Sequence, residues 1–193
     1  MSYPIATSEL TLTDIKTFKN AAIQAGIKRA MDLRIAQSDR ELVVREALPF
    51  TDFGNNALGW TTEWYRGPVI AAIGWGSVFN AGAVPAFVPQ LARTKVAVFY
   101  KFSDYTAAPM ISAIRFRQGA NAASTLGTFD VQLPTNSKLE PDLYFSEPID
   151  YDPEDWVYIE AYYMGAVPAG IVGAGENFAF GCFIIERVGG NVS

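Results

Sequence analysis

Carboxylates are the most plentiful groups in this sequence that could do chemistry. One run between residues 140 and 160 contains eight of them and no basic residue: Glu140, Asp142, Glu147, Asp150, Asp152, Glu154, Asp155 and Glu160. Two carboxylates about 5–10 Å apart can hydrolyse a glycosidic bond, and several oxygens from one loop can bind Ca²⁺. Residues 150–155 lack the glycine and the final glutamate of an EF-hand loop. The favoured interpretation is a solvated acidic turn, with calcium binding and hydrolysis as alternatives.

Histidine is absent from the chain, and cysteine occurs once, at Cys182. Without histidine, Ser-His-Asp and Cys-His nucleophile systems and histidine-ligated zinc or haem are excluded. A single cysteine forms no intramolecular disulfide, and Cys182 lies in the apolar run 178–185, where we expect a buried core thiol. We therefore predict a protein that is not an enzyme, with no catalytic residues, no metal and no cofactor.

Two further patterns carry weaker signals. Residues 170–175 are rich in glycine, but they do not match G-x-G-x-x-G and a strand pattern follows, so we expect a loop and no phosphate site. Tryptophan side chains stack on sugar rings, but they are also common in sandwich cores and subunit interfaces. The four tryptophans are Trp60, Trp64, Trp75 and Trp156.

The formal net charge is −5, from 15 basic and 20 acidic residues. Residues 1–101 carry a net charge of +3 and residues 102–193 carry −8. An acidic protein is a poor candidate for direct nucleic-acid contact, which usually needs a basic stripe. Unless the two halves interleave in one fold, an acidic surface on one copy can meet a basic surface on another.

The first twelve residues contain a single charged side chain, Glu9. Their apolar residues are spaced among Ser, Thr and Pro, which predicts an extended arm. So short a segment is not stable alone, and we expect it to add a strand to the open sheet edge of a neighbouring copy. The arm residues predicted at this interface are Ile5, Leu10 and Leu12.

A short amphipathic helix is predicted over residues 14–25. Residues 11–14 match the capping-box pattern that begins a helix, and Gly26 is a natural place for the helix to end. The apolar residues recur with helical spacing on one face. Of these, Ile15, Phe18 and Ala22 are predicted to lie at the junction between copies. We expect residues 1–26 to form a segment separate from a domain of residues 27–193.

From residue 27 onward, apolar residues recur at every second position, which predicts strands. The clearest runs are 42–48, 95–101, 111–118, 128–133, 156–163 and 178–187. Strands in series without intervening helices favour antiparallel pairing, and two stacked sheets hide their apolar faces. The predicted fold class is all-β, an antiparallel two-sheet sandwich preceded by an arm and one short α-helix.

Residues 67–92 form a stretch of 26 uncharged residues. Three prolines and four glycines interrupt the stretch, and such a backbone is difficult to satisfy in lipid. We therefore predict no membrane span. The alternatives are a buried strand followed by a long loop, or an apolar loop that packs against a neighbouring copy. The interface residues predicted in this stretch are Trp75, Phe79 and Phe87.

A nearly uncharged arm, a short helix and serial strands with proline corners at 144–148 and 151–153 resemble viral structural proteins of the jelly-roll type. These are capsid, minor-capsid or cement subunits. The resemblance implies a jelly roll located in the virion, which assembles as trimers or larger rings with copies of itself and with other capsid proteins. Capsid arms that touch the genome are often basic, whereas this arm carries only Glu9, which favours an outer or reinforcing position.

Two alternatives remain open. Actinoporin-like pore formers also join an N-terminal helix to an aromatic-rich sandwich. Lys28 and Arg29 after the helix, and residues 66–69 before the apolar stretch, are similar to parts of that family, although the acidic second half is not. A carbohydrate-binding module is the other alternative, and it depends on the tryptophans alone.

Overall fold

The computed structural model describes residues 4–53, 73–78, 89–106, 110–119, 122–131, 142–165 and 178–188. Within these residues one α-helix, α1 (Leu12–Asp32), accompanies nine strands. The strands are β1 (Pro4–Ala6), β2 (Leu42–Glu46), β3 (Gly74–Ser77), β4 (Lys95–Asp104), β5 (Ile111–Gln118), β6 (Ser124–Asp130), β7 (Asp142–Tyr151), β8 (Tyr158–Tyr163) and β9 (Phe178–Arg187). The predicted all-β, two-sheet sandwich is confirmed.

The strands form two antiparallel sheets. A five-stranded sheet has the order β1-β7-β4-β9-β2, and a four-stranded sheet has the order β3-β8-β5-β6. From β2 onward, the first strand pairs with the last: β2 with β9, β3 with β8, β4 with β7 and β5 with β6. These pairings are those of one long hairpin whose turn lies between β5 and β6. Each arm of the hairpin contributes its strands alternately to the two sheets.

An aromatic core fills the space between the two sheets. Phe116 is central to it, with ring centroids 5.4 Å from Phe99 and 5.6 Å from Phe145. The hydroxyl of the buried Tyr151 lies 3.0 Å from two backbone carbonyl oxygens, so its polar group is satisfied. Cys182 is buried in the same core, as predicted, and burial raises the pKa of its thiol well above the ordinary value.

Helix α1 covers the outer face of the five-stranded sheet, where it packs against β4, β7 and β9. As a result β4 is buried on both faces. Ala97 and Phe99 point into the core between the sheets, whereas Val96, Val98 and Tyr100 belong to a second cluster beneath the helix. Both sets of alternating residues in this strand are apolar because each faces a packed layer.

The predicted capping box is confirmed, but the helix begins at Leu12, two residues before the predicted start, and the predicted end at Gly26 is wrong. Thr11 caps the helix in a capping box with Asp14. Gly26 lies within the helix, where a β-carbon would clash with Ile185 and approach Cγ2 of Val98 to 2.8 Å. Its lack of a side chain therefore permits close packing on the sheet and does not end the helix.

The helix ends six residues later in a Schellman motif. The backbone N–H of Arg34 donates to Met31 O and that of Ile35 donates to Ala30 O, each at 3.0 Å. Arg34 takes the left-handed conformation, with φ of 57°, that glycine usually supplies. Ile35 packs against the cluster beneath the helix, which supplies the apolar contact that accompanies this motif.

Candidate interaction surface

Most of the predicted arm and helix interface residues contact the chain's own sandwich. Ile5 lies on β1, which pairs with β7 of the same chain. Leu10, Ile15 and Phe18 are partly buried against the cluster beneath the helix, and Ala22 is fully buried in it. The segment expected to add to a neighbour's sheet adds here to β7, because the same chain offers an edge within its reach.

The remaining predicted interface residues are more exposed or undescribed. Leu12, at the first turn of α1, has 79% of its surface exposed, and Trp75 on β3 has 38% exposed. Phe79 and Phe87 lie outside the described residues. Among the described residues that were predicted at an interface, Trp75 is therefore the aromatic residue that remains exposed to solvent.

An ion pair fixes the helix on the five-stranded sheet near its C-terminal end. Arg29 Nε donates to Oδ1 of Asp152 at 2.7 Å, and the same nitrogen lies 3.8 Å from Asp150 Oδ2. The helix is also fixed nearer its start, where the Phe18 ring stacks on Tyr144 with centroids 6.2 Å apart. Both contacts make α1 an integral layer of the subunit.

The carboxylates of residues 140–160 are distributed over different parts of the fold. Asp142 pairs with Lys101 at 3.1 Å, Asp152 pairs with Arg29, and Glu160 pairs with an arginine of β5. Glu140 lies outside the described residues. The part of the chain that the structure describes contains no group of three or more metal-ligating side chains placed to hold a metal ion.

A buried charged cluster lies at one end of the five-stranded sheet. The Asp52 side chain is fully buried, and its carboxylate accepts two hydrogen bonds from Arg45, at 2.7 and 2.8 Å, and one from Lys95 at 3.0 Å. Burial by itself would raise the pKa of Asp52, but hydrogen bonds from Arg45, the Leu48 backbone N–H and Lys95 outweigh it and lower that pKa. This cluster ties residues 48–53 to β2 and β4.

The outer face of the four-stranded sheet carries a group of aromatic and charged side chains, most of them partly exposed, which we call the β5–β8 face. Strand alternation builds it, because Ile114 and Phe116 of β5 point into the core. The residues between and beside them point outward. The β5–β8 face comprises Trp75, Ser77, Ala113, Arg115, Arg117, Thr128, Asp130, Tyr158, Glu160 and Tyr162.

Arg115 contacts both a carboxylate and an aromatic ring on the β5–β8 face. Its Nε and Nη2 each lie 2.8 Å from Glu160 Oε2, and its Cζ lies 4.2 Å from the ring centroid of Trp75. The Trp75 ring meets Tyr162 edge-on with centroids 5.4 Å apart. Arg117 Nη1 lies 3.4 Å from the same Glu160 oxygen. These contacts link side chains from three strands, β3, β5 and β8.

Tryptophan, tyrosine and arginine are the side chains enriched at the centres of protein interfaces. The β5–β8 face presents all three on one rigid sheet. The sequence predicts Trp75 at an interface and a strand over 111–118, which contains Arg115 and Arg117, but Glu160 was interpreted as part of an acidic turn. The missing signal was strand register, which sets Arg115 opposite Glu160 and Trp75 opposite Tyr162.

Comparisons with family models and with curated proteins find no match to this chain. Within the described residues, no helix combines the length and the apolar character needed to cross a membrane.

Proposed function

We propose that the protein is a non-enzymatic structural subunit of a virus particle, either a capsid protein or a cement protein that stabilises a capsid. It would act in the virion, bound to copies of itself and to other capsid proteins. The observation that carries this proposal is the strand order. Eight strands, β2 to β9, pair first with last and divide into two four-stranded layers, which supports a jelly-roll topology. Strand β1 then extends one edge.

A fold does not by itself determine a function, because jelly rolls also occur in lectins. The β5–β8 face adds the second support. It presents Trp75, Tyr162 and Arg115 on strands, where their positions are rigid, and a subunit built to associate needs such a surface.

A carbohydrate-binding module is the second candidate function. The exposed Trp75 ring lies beside Arg115, which pairs with Glu160, and these charged groups can hydrogen-bond to hydroxyls. However, the Arg115 guanidinium lies over the Trp75 ring at 4.2 Å. It therefore covers ring surface on which a sugar would have to stack.

Electron microscopy of the purified protein, combined with two binding assays, tests the proposed function. We expect regular particles or rings larger than one subunit, with no leakage from lipid vesicles and no binding to a glycan array. Isolated subunits that release a dye trapped in vesicles would favour the pore-forming alternative. Isolated subunits that bind glycans, with binding lost on Trp75→Ala, would favour the carbohydrate-binding module.

A further inference from the structure

We infer that the β5–β8 face packs against the same face of a second copy, about a twofold axis that runs along the strands between β5 and β8. This inference rests on the proposed function and names the surface and the partner through which subunits associate. Helix α1 covers the outer face of the five-stranded sheet. No other described element covers the outer face of the four-stranded sheet.

The charges of this face lie in stripes. Arg115 and Arg117 point outward from β5, whereas Glu160 points outward from β8 and Asp130 from β6. The face is therefore neutral in a chain whose net charge is −5. Two copies of an acidic protein repel each other least where a neutral surface meets a neutral surface. A striped face also matches a second copy only in particular registers.

The position of the twofold axis follows from those stripes. An axis along β5 would set the arginines of one copy against the same arginines of the other, and an axis along β8 would set Glu160 against Glu160. An axis between the two strands places β5 of each copy over β8 of the other copy. Arg115 then faces Glu160 of the second copy, and Glu160 faces the second copy's Arg115. Of these three placements, only the central one brings opposite charges together.

The sizes of one pair of side chains, Tyr162 and Ala113, agree with the same axis. Strand register sets Tyr162 of β8 level with Ala113 of β5. With β5 over β8, Tyr162 of each copy faces Ala113 of the other, so a large ring meets a small methyl group. Face-to-face sheets lie about 10 Å apart, a spacing that pairs of large and small side chains fill without a gap.

The test uses one substitution made at two sites. Ala113→Arg adds a long charged side chain at the centre of the face. Ala113 is not part of the core, although its neighbour Ile114 is. Ala21→Arg makes the same change on the exposed side of α1. We expect Ala113→Arg to raise the dissociation constant between copies at least about tenfold. Ala21→Arg should leave it unchanged, and the melting temperatures of both variants should stay near that of the unmodified chain.

Sedimentation velocity over a concentration series gives the dissociation constants. If Ala113→Arg lowers the melting temperature, Ala113→Gln adds bulk without charge and should weaken association in the same direction. If the unmodified chain associates and both Ala113 variants associate equally well, this inference is wrong while the proposed function stands. If the unmodified chain stays a single subunit at every concentration, the inference and the proposed function are both wrong.

Discussion

Arg115 and Glu160 lie directly opposite each other on β5 and β8, and two guanidinium nitrogens of Arg115 each approach the same carboxylate oxygen to 2.8 Å. The pair holds the guanidinium over the Trp75 ring. A charged hydrogen bond on a sheet face thus fixes the position of an aromatic side chain on the neighbouring edge strand.

Replacing Glu160 should loosen this arrangement. Glu160→Gln leaves Arg115 and Arg117 close together without their shared counter-charge, so we expect the free energy of unfolding to fall by about 1–2 kcal/mol. Urea denaturation at pH 7 measures the change. Glu154→Gln, at an exposed turn residue, is the control and should change stability by less than about 0.5 kcal/mol. Equal effects from the two variants would show that the Arg115–Glu160 pair adds nothing to stability.

Gly26→Ala should destabilise the protein, although alanine favours helix by about 1 kcal/mol. The added methyl group would clash with Ile185 and Val98 beneath the helix, and overpacking of this kind costs about 1–3 kcal/mol. Thermal melting followed by circular dichroism checks the result. A higher melting temperature for Gly26→Ala would contradict the close packing of α1 on the sheet.

Asp52 should stabilise the protein more as the pH rises through the acidic range. Its folded-state pKa lies below the ordinary value of 3.8, so the folded chain releases this proton more readily than the unfolded chain does. The stabilisation is present above pH 3.8 and is lost as the pH falls through the lowered pKa. Asp52→Asn should cost about 3–5 kcal/mol at pH 7, because Arg45 and Lys95 keep their charges without their partner. Urea denaturation from pH 2.5 to 7 should show this cost shrinking towards the acid end, and a constant cost would argue against the lowered pKa.

Asp104 should show the opposite pH dependence. This residue is 4% exposed, and its Oδ2 has no hydrogen-bond partner within the described part of the chain. Burial raises its pKa above 3.8, so its contribution to stability is complete below pH 3.8 and is lost as the pH rises through the raised value. Asp104→Asn keeps an acceptor for the Thr106 N–H and removes the charge. We therefore expect it to increase stability at pH 7 by about 1–2 kcal/mol, and a decrease in urea denaturation would contradict the account of this site.

Much of the fold could be predicted from the sequence because period-two patterns directly reflect burial. On β5, Ile114 and Phe116 point inward while Arg115 and Arg117 point outward. Strand β4 was also predicted, although its pattern could not show that a helix covers one face and the other sheet covers the second. A buried strand of this kind is apolar on both sides.

The errors and omissions have specific physical causes. Gly26 resembles a helix stop in sequence, but whether a glycine ends a helix or lies against a sheet depends on what packs beside it. The helix ends instead with Arg34 in the left-handed region. Arginine seldom takes this conformation, so the sequence does not predict a helix end there. The β5–β8 face was missed for another reason, since the register of β3, β8 and β5 is a long-range property.

The mass of the purified chain in solution tests the central claim most directly. Multi-angle light scattering after size exclusion, across a wide range of protein concentrations at moderate salt, reports this mass without reference to shape. A self-associating structural subunit predicts a multiple of the 21.1 kDa chain mass that persists on dilution into the micromolar range. A mass of one chain at every concentration would contradict the account.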